Sequence, residues 1–245
     1  MAVLELERVV KHFRDGAQPV RAVDDVSLTI EPGEVLALHG PSGSGKTTLL
    51  LLIAALLAPE RGSIRFDGRE LTGLSENEAC DYLHRDVGFV HQSAQLMRRV
   101  SALENASMKL MLGGVGAREA QARALPWLQR VGLGDSLERT PEQLSSGERQ
   151  RVAVARALAG EPRLILADEP TGSLDSARGA EIVRLLASLA HERGAAVLLV
   201  THDLEAASIA DRRCTLRDGR LTEGPLAKQP RSPSGYHPHS LILGR

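Results

Sequence analysis

A glycine-rich stretch between two apolar runs constrains this chain more than any other feature of its sequence. The stretch follows residues 35–38 and precedes residues 49–58, and its spacing is G-x-x-x-x-G-K-T. It comprises Gly40, Pro41, Ser42, Gly43, Ser44, Gly45, Lys46, Thr47 and Thr48. Between a strand and a helix, glycines let the backbone curl so that successive N–H groups and the helix N-terminus face a phosphate. The pattern therefore predicts a nucleotide-binding P-loop rather than an ordinary Gly/Ser turn.

Four charged or polar side chains carry the chemistry expected of such a site. Lys46 adds a cation for the β- and γ-phosphates, and the Thr47 hydroxyl can ligate Mg²⁺. Downstream, the apolar run 164–167 ends in two carboxylates. Asp168 is expected to hold Mg²⁺, usually through water, and Glu169 is expected to polarise the attacking water. The combination predicts hydrolysis of a nucleoside triphosphate.

Two further polar residues follow apolar runs that have the length of buried strands. His202 comes just after residues 195–200, where its imidazole could donate a hydrogen bond to a γ-phosphate. Gln92 comes just after residues 87–90, where a glutamine could meet the metal or the attacking water. From its position alone, an ordinary loop residue is the more common explanation of Gln92.

The composition excludes several classes of protein. The 245 residues are 42% hydrophobic with a formal net charge of −1, which indicates a sizeable core and no basic field for nucleic acid. Cys80 and Cys214 make no disulfide framework. The longest apolar run, residues 49–58, is about half a membrane span, and residues 1–5 lack the features of a signal peptide. We therefore expect a cytoplasmic protein that meets a membrane only through a partner.

Several β-like stretches flank the P-loop. Alternation over residues 4–10 and the runs 26–30 and 63–67 predict strands near the N-terminus. Phe13 is placed on a loop that ends near Pro19. An aromatic side chain there could stack on an adenine ring or anchor the loop, and the spacing favours neither.

Helical patterns interrupt the order of strands in the middle of the chain. Residues 101–112 and 117–131 show helical periodicity, and Pro126 is expected to kink or split the second helix. Residues of about 93–160 are therefore predicted to form a helical subdomain. The Pro/Ser-rich residues 225–245 are expected to form a loosely ordered tail.

Residues 144–150 open another predicted helix, which runs to about residue 160. Ser145 is a credible N-cap, and amides at such a helix start suit an anion, although a capped helix without any ligand explains the pattern as well. The basic residues predicted to form a solvated face of this helix are Arg149, Arg151 and Arg156.

Taken in order, these motifs resemble those of the nucleotide-binding subunit of an ATP-binding-cassette (ABC) transporter, over residues of about 3–224. The matching positions are the Walker A motif at 40–48, the Q-loop Gln92, the family signature at 144–150, the Walker B motif at 164–168, the catalytic glutamate Glu169, the D-loop Asp175 and the switch histidine His202. Phe13 matches the adenine-stacking position of the family, which favours stacking over anchoring.

The resemblance implies a fold and a working assembly. The fold is expected to be α/β, a P-loop NTPase of ABC type with a mixed sheet core, an N-terminal antiparallel β part and a helical subdomain, within an ATPase domain over residues 1–224. Two copies are expected to sandwich two ATP molecules with Mg²⁺, each completing the other's site with Ser145 and Gly147, and Asp175 is expected at the nucleotide. The surface around Gln92, itself a candidate metal ligand, is expected to pass the motion to integral membrane subunits. The chain would then lie on the cytoplasmic face of the plasma membrane.

Within the family, segments 102–105 and 168–175 look most like the branch that serves lipoprotein release and macrolide-type export. A regulatory ATPase of the cell-division type is an alternative in the same branch. A soluble ABC protein acting on nucleic acid or ribosomes is less favoured, because the chain has one cassette and no sustained heptads, and no nucleic-acid partner is expected. One residue departs from the family pattern: Ser146 stands where a glycine is usual, and it could weaken or retune closure of the dimer.

Overall fold

A six-stranded sheet lies at the centre of the computed structural model, which describes residues 1–15, 18–172 and 174–223. Its strands are β3 Val35–His39, β6 Val87–Val90, β7 Leu164–Asp168, β8 Ala196–Val200, β9 Arg212–Arg217 and β10 Arg220–Glu223. They lie in the order β10-β9-β3-β8-β7-β6. All neighbouring pairs are parallel except β9 and β10, which are antiparallel. The predicted mixed sheet is confirmed.

A smaller antiparallel sheet is built mainly from the N-terminal part of the chain. Its strands are β1 Leu4–Asp15, β2 Gln18–Ile30, β4 Arg61–Phe66 and β5 Arg69–Glu70, in the order β2-β1-β4-β5. Phe13 lies within β1, paired with Val20 of β2, so its predicted place on a loop is wrong. The register of β1 shifts between Val9 and Lys11 and again at His12. Such irregularities break the alternation from which the end of the strand was predicted.

Seven α-helices are found within the described residues: α1 Lys46–Ile53, α2 Glu76–Arg85, α3 Ala102–Leu112, α4 Ala117–Arg130, α5 Ser146–Leu158, α6 Ser176–Arg193 and α7 Leu204–Ser208. Helices α2, α3 and α5 each begin at a capping box. In each box the serine hydroxyl accepts a hydrogen bond from the backbone N–H of a glutamate three residues later, and the glutamate carboxylate accepts one from the backbone N–H of the serine. The serines are Ser75, Ser101 and Ser145. The predicted N-cap at Ser145 is confirmed.

The central sheet separates two hydrophobic cores. Val35 and Ala37 of β3 face a core that includes α3, α4, α5 and α6. Leu36 and Leu38, the alternate residues of β3, face α1 and the antiparallel sheet. Because successive side chains of a strand point to opposite faces, a sheet covered on both sides requires the near-continuous apolar runs seen in this sequence.

Two helices differ from their predicted extents. Helix α1 ends at Ile53 instead of continuing to residue 58, because Ala55 takes a left-handed backbone conformation with φ 54°. Helix α4 continues through Pro126 without being split. Its buried residues Ala124 and Trp127 lie on either side of the proline, so packing holds a helix that lacks one backbone hydrogen bond.

Helices α3, α4 and α5 lie between β6 and β7 in the chain and share one core. A helical subdomain with boundaries near 93 and 160 stays a prediction. The predicted tail, residues 225–245, lies outside the described residues. Among the residues that the structure describes, none of the helices combines the length and apolar character needed to cross a bilayer.

Candidate functional site

Four adjacent parallel strands end at one edge of the central sheet, and a predicted site residue stands at each of these ends. These residues are Gly40 after β3, His202 after β8, Asp168 at the end of β7 and Gln92 after β6. The strands lie side by side in the order β3-β8-β7-β6. Ligands of open α/β sheets bind outside the carboxyl ends of the strands, so the topology places these residues where a ligand is expected.

The glycines of the P-loop are required by its backbone geometry. Gly40, Gly43 and Gly45 have φ values of 155°, 77° and 102°. A Cβ on Gly40 would lie 2.2 Å from the Leu216 carbonyl oxygen, and one on Gly45 would lie 1.7 Å from the Ala22 carbonyl oxygen. A Cβ on Gly43 would meet nothing within 4 Å. Packing excludes side chains at Gly40 and Gly45, and Gly43 borders an open concavity.

The concavity has the donors that an anion needs. Lys46 Nζ donates to the carbonyl oxygens of Gly40 and Pro41, both at 2.8 Å, so the ammonium group lies beside the loop. Ser44 Oγ is buried and has no hydrogen-bond partner within the described part of the chain. No side chain caps the start of α1, which leaves its first N–H groups for a phosphate. The other predicted members of the loop are the exposed Ser42 and the half-buried Thr48.

Thr47 and Asp168 meet across the site, although 121 positions separate them in the chain. Thr47 Oγ1 donates to Asp168 Oδ2 at 3.0 Å. Burial raises the pKa of the Asp168 carboxyl and the Glu169 carboxylate raises it further, while the bond from Thr47 opposes the rise. A hydroxyl and a carboxylate are the oxygen ligands that Mg²⁺ prefers. The pair fits Mg²⁺ bound jointly with phosphate oxygens and water.

Glu169 is held from two sides. Gln92 Nε2 donates to Glu169 Oε2 at 3.0 Å, and His202 Nδ1 lies 3.3 Å from Glu169 Oε1. The backbone of Glu169 is left-handed with φ 45°, and its N–H bonds the Val200 carbonyl oxygen. Non-glycine residues in this conformation cost about 1–3 kcal/mol and cluster at functional sites. The structure therefore brings Gln92, Glu169 and His202 together.

Three predicted site residues stand apart from this group. Ser145 Oγ accepts from the Glu148 N–H at 3.2 Å, and Asp175 Oδ1 accepts from the Arg178 N–H at 3.0 Å. Each therefore caps its own helix, and Gly147 lies in the first turn of α5. Within the described residues, no hydrogen bond or ion pair joins any of the three to the P-loop or to Glu169.

Phe13 presents its ring to solvent. Its side chain belongs to a residue that is 41% exposed, and Lys11 Nζ lies 5.7 Å from the ring centroid. The exposed ring is available for stacking. The choice between stacking and anchoring stays a prediction, because the turn after β1 includes residues 16–17, which lie outside the described part of the chain.

The predicted solvated face of α5 is wrong. Its three arginines are partly buried, and two of them donate to backbone carbonyls: Arg149 to Pro141 and Leu144, and Arg156 to Ala94 and Gln95. The sequence held a signal for this arrangement, because residues 152–155 and 157–159 are all apolar. Four successive apolar residues cover every side of one helical turn, so this part of α5 has no face that is wholly solvated.

Comparison with known proteins agrees with this geometry. The model of the family described as "ABC transporter" matches residues 23–172. The chain belongs to the ABC transporter family. The ATP-binding protein LolD of the lipoprotein-releasing system of Shewanella frigidimarina is 42% identical over 220 residues, covering 90% of this chain and 92% of LolD. The macrolide export ATP-binding/permease protein MacB of Syntrophobacter fumaroxidans is 43% identical over 221 residues, which are 89% of this chain and 31% of MacB.

Solved ABC structures have the same fold. A dimeric, post-hydrolysis structure of the ATP-binding cassette MJ0796 bound to ADP and Pi has a TM-score of 0.87 and 36% identity. A second dimeric structure of MJ0796, a bacterial ABC transporter cassette, has a TM-score of 0.87 and 37% identity. Both comparisons cover 92% of this chain and 99% of the other. The chain is therefore an ATP-binding and ATP-hydrolysing subunit of ABC type.

Proposed function

We propose that this ABC ATPase powers an export-type or lipoprotein-releasing membrane complex from the cytoplasmic face of the plasma membrane. The names of the relatives LolD and MacB support this function. The observation that carries it is the position of Glu169 between Gln92 and His202, next to the Thr47–Asp168 pair. In this proposal residues 1–224 form the ATPase domain, and residues of about 93–160 form its helical subdomain.

The P-loop binds the triphosphate of ATP. Backbone N–H groups of residues 40–48 and of the first turn of α1 surround the phosphate oxygens, and Lys46 neutralises the β- and γ-phosphates. Phe13 stacks on the adenine ring. Thr47, Asp168 and Gln92 would hold Mg²⁺, which would withdraw charge from the phosphate oxygens.

Glu169 then polarises the attacking water. Its carboxylate is fixed on one oxygen by Gln92 and on the other by His202, which leaves lone pairs to accept a hydrogen bond from water. The His202 side chain is largely exposed, so the imidazole can also donate to the γ-phosphate.

Ser145, Gly147 and Asp175 act on the nucleotide of a second copy. None of them makes a hydrogen bond or ion pair with the chain's own P-loop within the described residues, and Ser145 and Asp175 are exposed at helix starts. Amides at a helix N-terminus attract an anion. Two copies placed head to tail therefore complete two sites, and bound ATP joins them. The dimeric MJ0796 structures support this assembly.

An apolar groove beside Gln92 is the proposed contact for a membrane subunit. The groove has a volume of about 320 Å³, and His91 and Gln95, on either side of Gln92, contribute to its lining. Leu56, Leu112 and Lys109 also line it. An apolar segment that carries a carboxylate fits this mixture. MacB, which is named an ATP-binding/permease protein, supports a membrane partner for the chain.

The groove is tested with Leu112→Glu, because Leu112 is 71% exposed on its rim. In cells that contain the native membrane subunits, the variant is expected to leave the membrane fraction while the purified chain still binds ATP. Leu204→Glu is the matched control, since Leu204 is 76% exposed and does not line the groove, and it should stay in the membrane fraction. Retention of Leu112→Glu at the membrane would contradict the proposed contact.

A further inference from the structure

Two side chains of helix α5 donate hydrogen bonds to backbone carbonyl oxygens on both sides of Gln92. Gln150 Nε2 donates to the His91 carbonyl oxygen at 2.9 Å, one residue before Gln92. Arg156 donates to the carbonyl oxygens of Ala94 at 2.8 Å and Gln95 at 3.0 Å, just after it. These carbonyls lie in the irregular segment after β6, where no neighbouring strand supplies donors. The two side chains therefore fix the backbone that carries Gln92.

The burial and backbone geometry of this segment show that these contacts are specific. Gln150 is 1% exposed; its Nε2 donates to the His91 carbonyl oxygen, and its Oε1 has no hydrogen-bond partner within the described residues. Gln95 has a left-handed backbone with φ 45°, a conformation that persists only where surrounding contacts determine it. The guanidinium of Arg156 donates to two successive carbonyls at once, each from a different nitrogen of its planar fork.

The far end of the same segment is fixed to a helix of the same core. Asn105 of α3 is fully buried, accepts from the Met97 N–H, and donates to the carbonyl oxygens of Met97, Val100 and Ser101. The segment between β6 and α3 is thus bonded to α5 near its start and to α3 near its end. The Gln92 side chain extends from this segment to Glu169, the residue after β7.

We propose that Gln150 and Arg156 are positioning residues for hydrolysis, which act by holding Gln92 against Glu169. Ser145, which is proposed to meet the nucleotide of the second copy, caps the start of α5. The same helix therefore links Ser145 to the Glu169 carboxylate of the chain's own site. A displacement of about 1 Å at a catalytic group can lower a rate by about a hundredfold. This inference rests on the proposed role of Gln92.

The test measures steady-state ATP hydrolysis by the full chain carrying Gln150→Leu or Arg156→Met, alone and combined with Gln92→Ala. Each single variant is expected to lower kcat by about tenfold or more. The KM for ATP should change by less than about twofold, because the P-loop and Phe13 are untouched. Arg156→Lys should recover part of kcat, since the ammonium group can still donate to a carbonyl oxygen of this segment but lacks the two spaced nitrogens of the guanidinium.

The combined variants show whether Gln150 and Arg156 act through Gln92. Gln150→Leu or Arg156→Met is expected to cause no further loss in the Gln92→Ala background, because residues that act through Gln92 have nothing left to position. Arg149→Met is the matched control: Arg149 lies on the same helix and also donates to two carbonyl oxygens, but those of Pro141 and Leu144 belong to the loop before α5 and not to the segment that carries Gln92. Its effect should multiply with that of Gln92→Ala.

Two results would overturn the inference, and they are distinguishable. If the losses caused by Gln150→Leu and Arg156→Met multiply with that of Gln92→Ala, these residues support the fold and do not act through Gln92. If Gln92→Ala alone keeps the wild-type kcat, the proposed role of Gln92 is wrong, and the positioning role falls with it.

Discussion

Lys46 shows at the scale of one residue how the P-loop prepares for a triphosphate. Its ammonium group is held beside the loop by the carbonyl oxygens of Gly40 and Pro41, so little reorganisation is needed when phosphate binds. We expect Lys46→Ala to lower ATP hydrolysis by at least about a hundredfold, the effect of removing one preorganised donor, and to weaken ATP binding. Calorimetric titration and a phosphate-release assay measure both. Wild-type turnover in the variant would contradict the P-loop function of Lys46.

Phe13 should contribute to nucleotide affinity without selecting the base. Stacking of a base on an aromatic ring is worth about 1–3 kcal/mol, so Phe13→Ala should raise the dissociation constants of ATP and GTP alike, by about tenfold. Val20→Ala is the control, because Val20 pairs with Phe13 across the sheet and is equally exposed. Equal affinities of the Phe13→Ala variant and the wild type for both nucleotides would show that Phe13 does not stack.

Lys109 should make stability depend on pH in the alkaline range. Burial lowers its pKa from 10.5 to about 8, against the opposing effect of Asp86, while Nζ donates to the Val87 carbonyl oxygen. Between these two pKa values the unfolded chain holds a proton that the folded chain has lost, so stability rises with pH. Below the folded pKa both states hold it and the pH dependence vanishes.

The variant Lys109→Met removes this titration. Between pH 8 and pH 9 the unfolding free energy of the wild type should rise by about 1 kcal/mol relative to that of the variant. Urea unfolding at the two pH values measures the difference. Parallel pH dependence of the two proteins would show that Lys109 titrates as an exposed lysine does.

At the scale of elements, the sequence predicts best the strands that are buried on both faces. β3, β7 and β8 were located from apolar runs that end in polar residues, because strands covered on both sides need such runs. β1 was cut short because shifts of register end its alternation. Helix α2 was missed, although its capping box from Ser75 to Glu78 was a local signal.

The candidate site was predicted in its residue types and only partly in its contacts. Spacing along the chain identified Thr47, Asp168 and Glu169, because each follows or opens an element of the P-loop architecture. The hydrogen bonds from Gln92 and His202 to Glu169 arise from the order of strands in the sheet. A single sequence does not show the order of the strands. It also does not show that Arg156 bonds the segment after β6.

The start of α5 carries Ser146, where the resembled family usually has a glycine, and a substitution there can be tested. Ser146 is the first residue of α5 and is exposed. Ser146→Gly should keep or increase kcat, because it removes a Cβ and a hydroxyl from the surface that meets the second nucleotide. Glycine within a helix costs about 0.5–1 kcal/mol, so thermal unfolding should change little. Loss of hydrolysis in this variant would mean that the Ser146 hydroxyl makes a contact of its own.

At the scale of the whole molecule, the residues proposed to surround one nucleotide form two separate groups. Gln92, Asp168, Glu169 and His202 gather at the edge of the sheet beside the P-loop. Ser145 and Asp175 cap helices and make no bond to that group within the described residues. We propose that these are two halves of one site, which meet in the head-to-tail dimer.

Glu169→Gln should trap that dimer. The substitution keeps the shape of the side chain and the binding of ATP but removes the carboxylate that polarises water. Without hydrolysis, the two triphosphates should hold the copies together, so the variant should be a dimer in ATP and a monomer in ADP. Size-exclusion chromatography with light scattering measures the mass directly, and a Glu169→Gln protein that stays monomeric in ATP would contradict the ATP-joined assembly.

Adding Ser145→Arg should break this dimer without preventing ATP binding, because Ser145 serves the nucleotide of the other copy while Lys46 and Thr47 serve its own. The change also removes an N-cap, which costs about 1 kcal/mol, so its control must lose a cap as well. Ser101→Arg provides this control, since Ser101 opens α3 with the same capping box. In the Glu169→Gln background with ATP, Ser101→Arg should remain dimeric and Ser145→Arg should be monomeric. If the Ser145→Arg double variant is still a dimer, Ser145 does not act across the interface, and the head-to-tail arrangement is wrong for this protein.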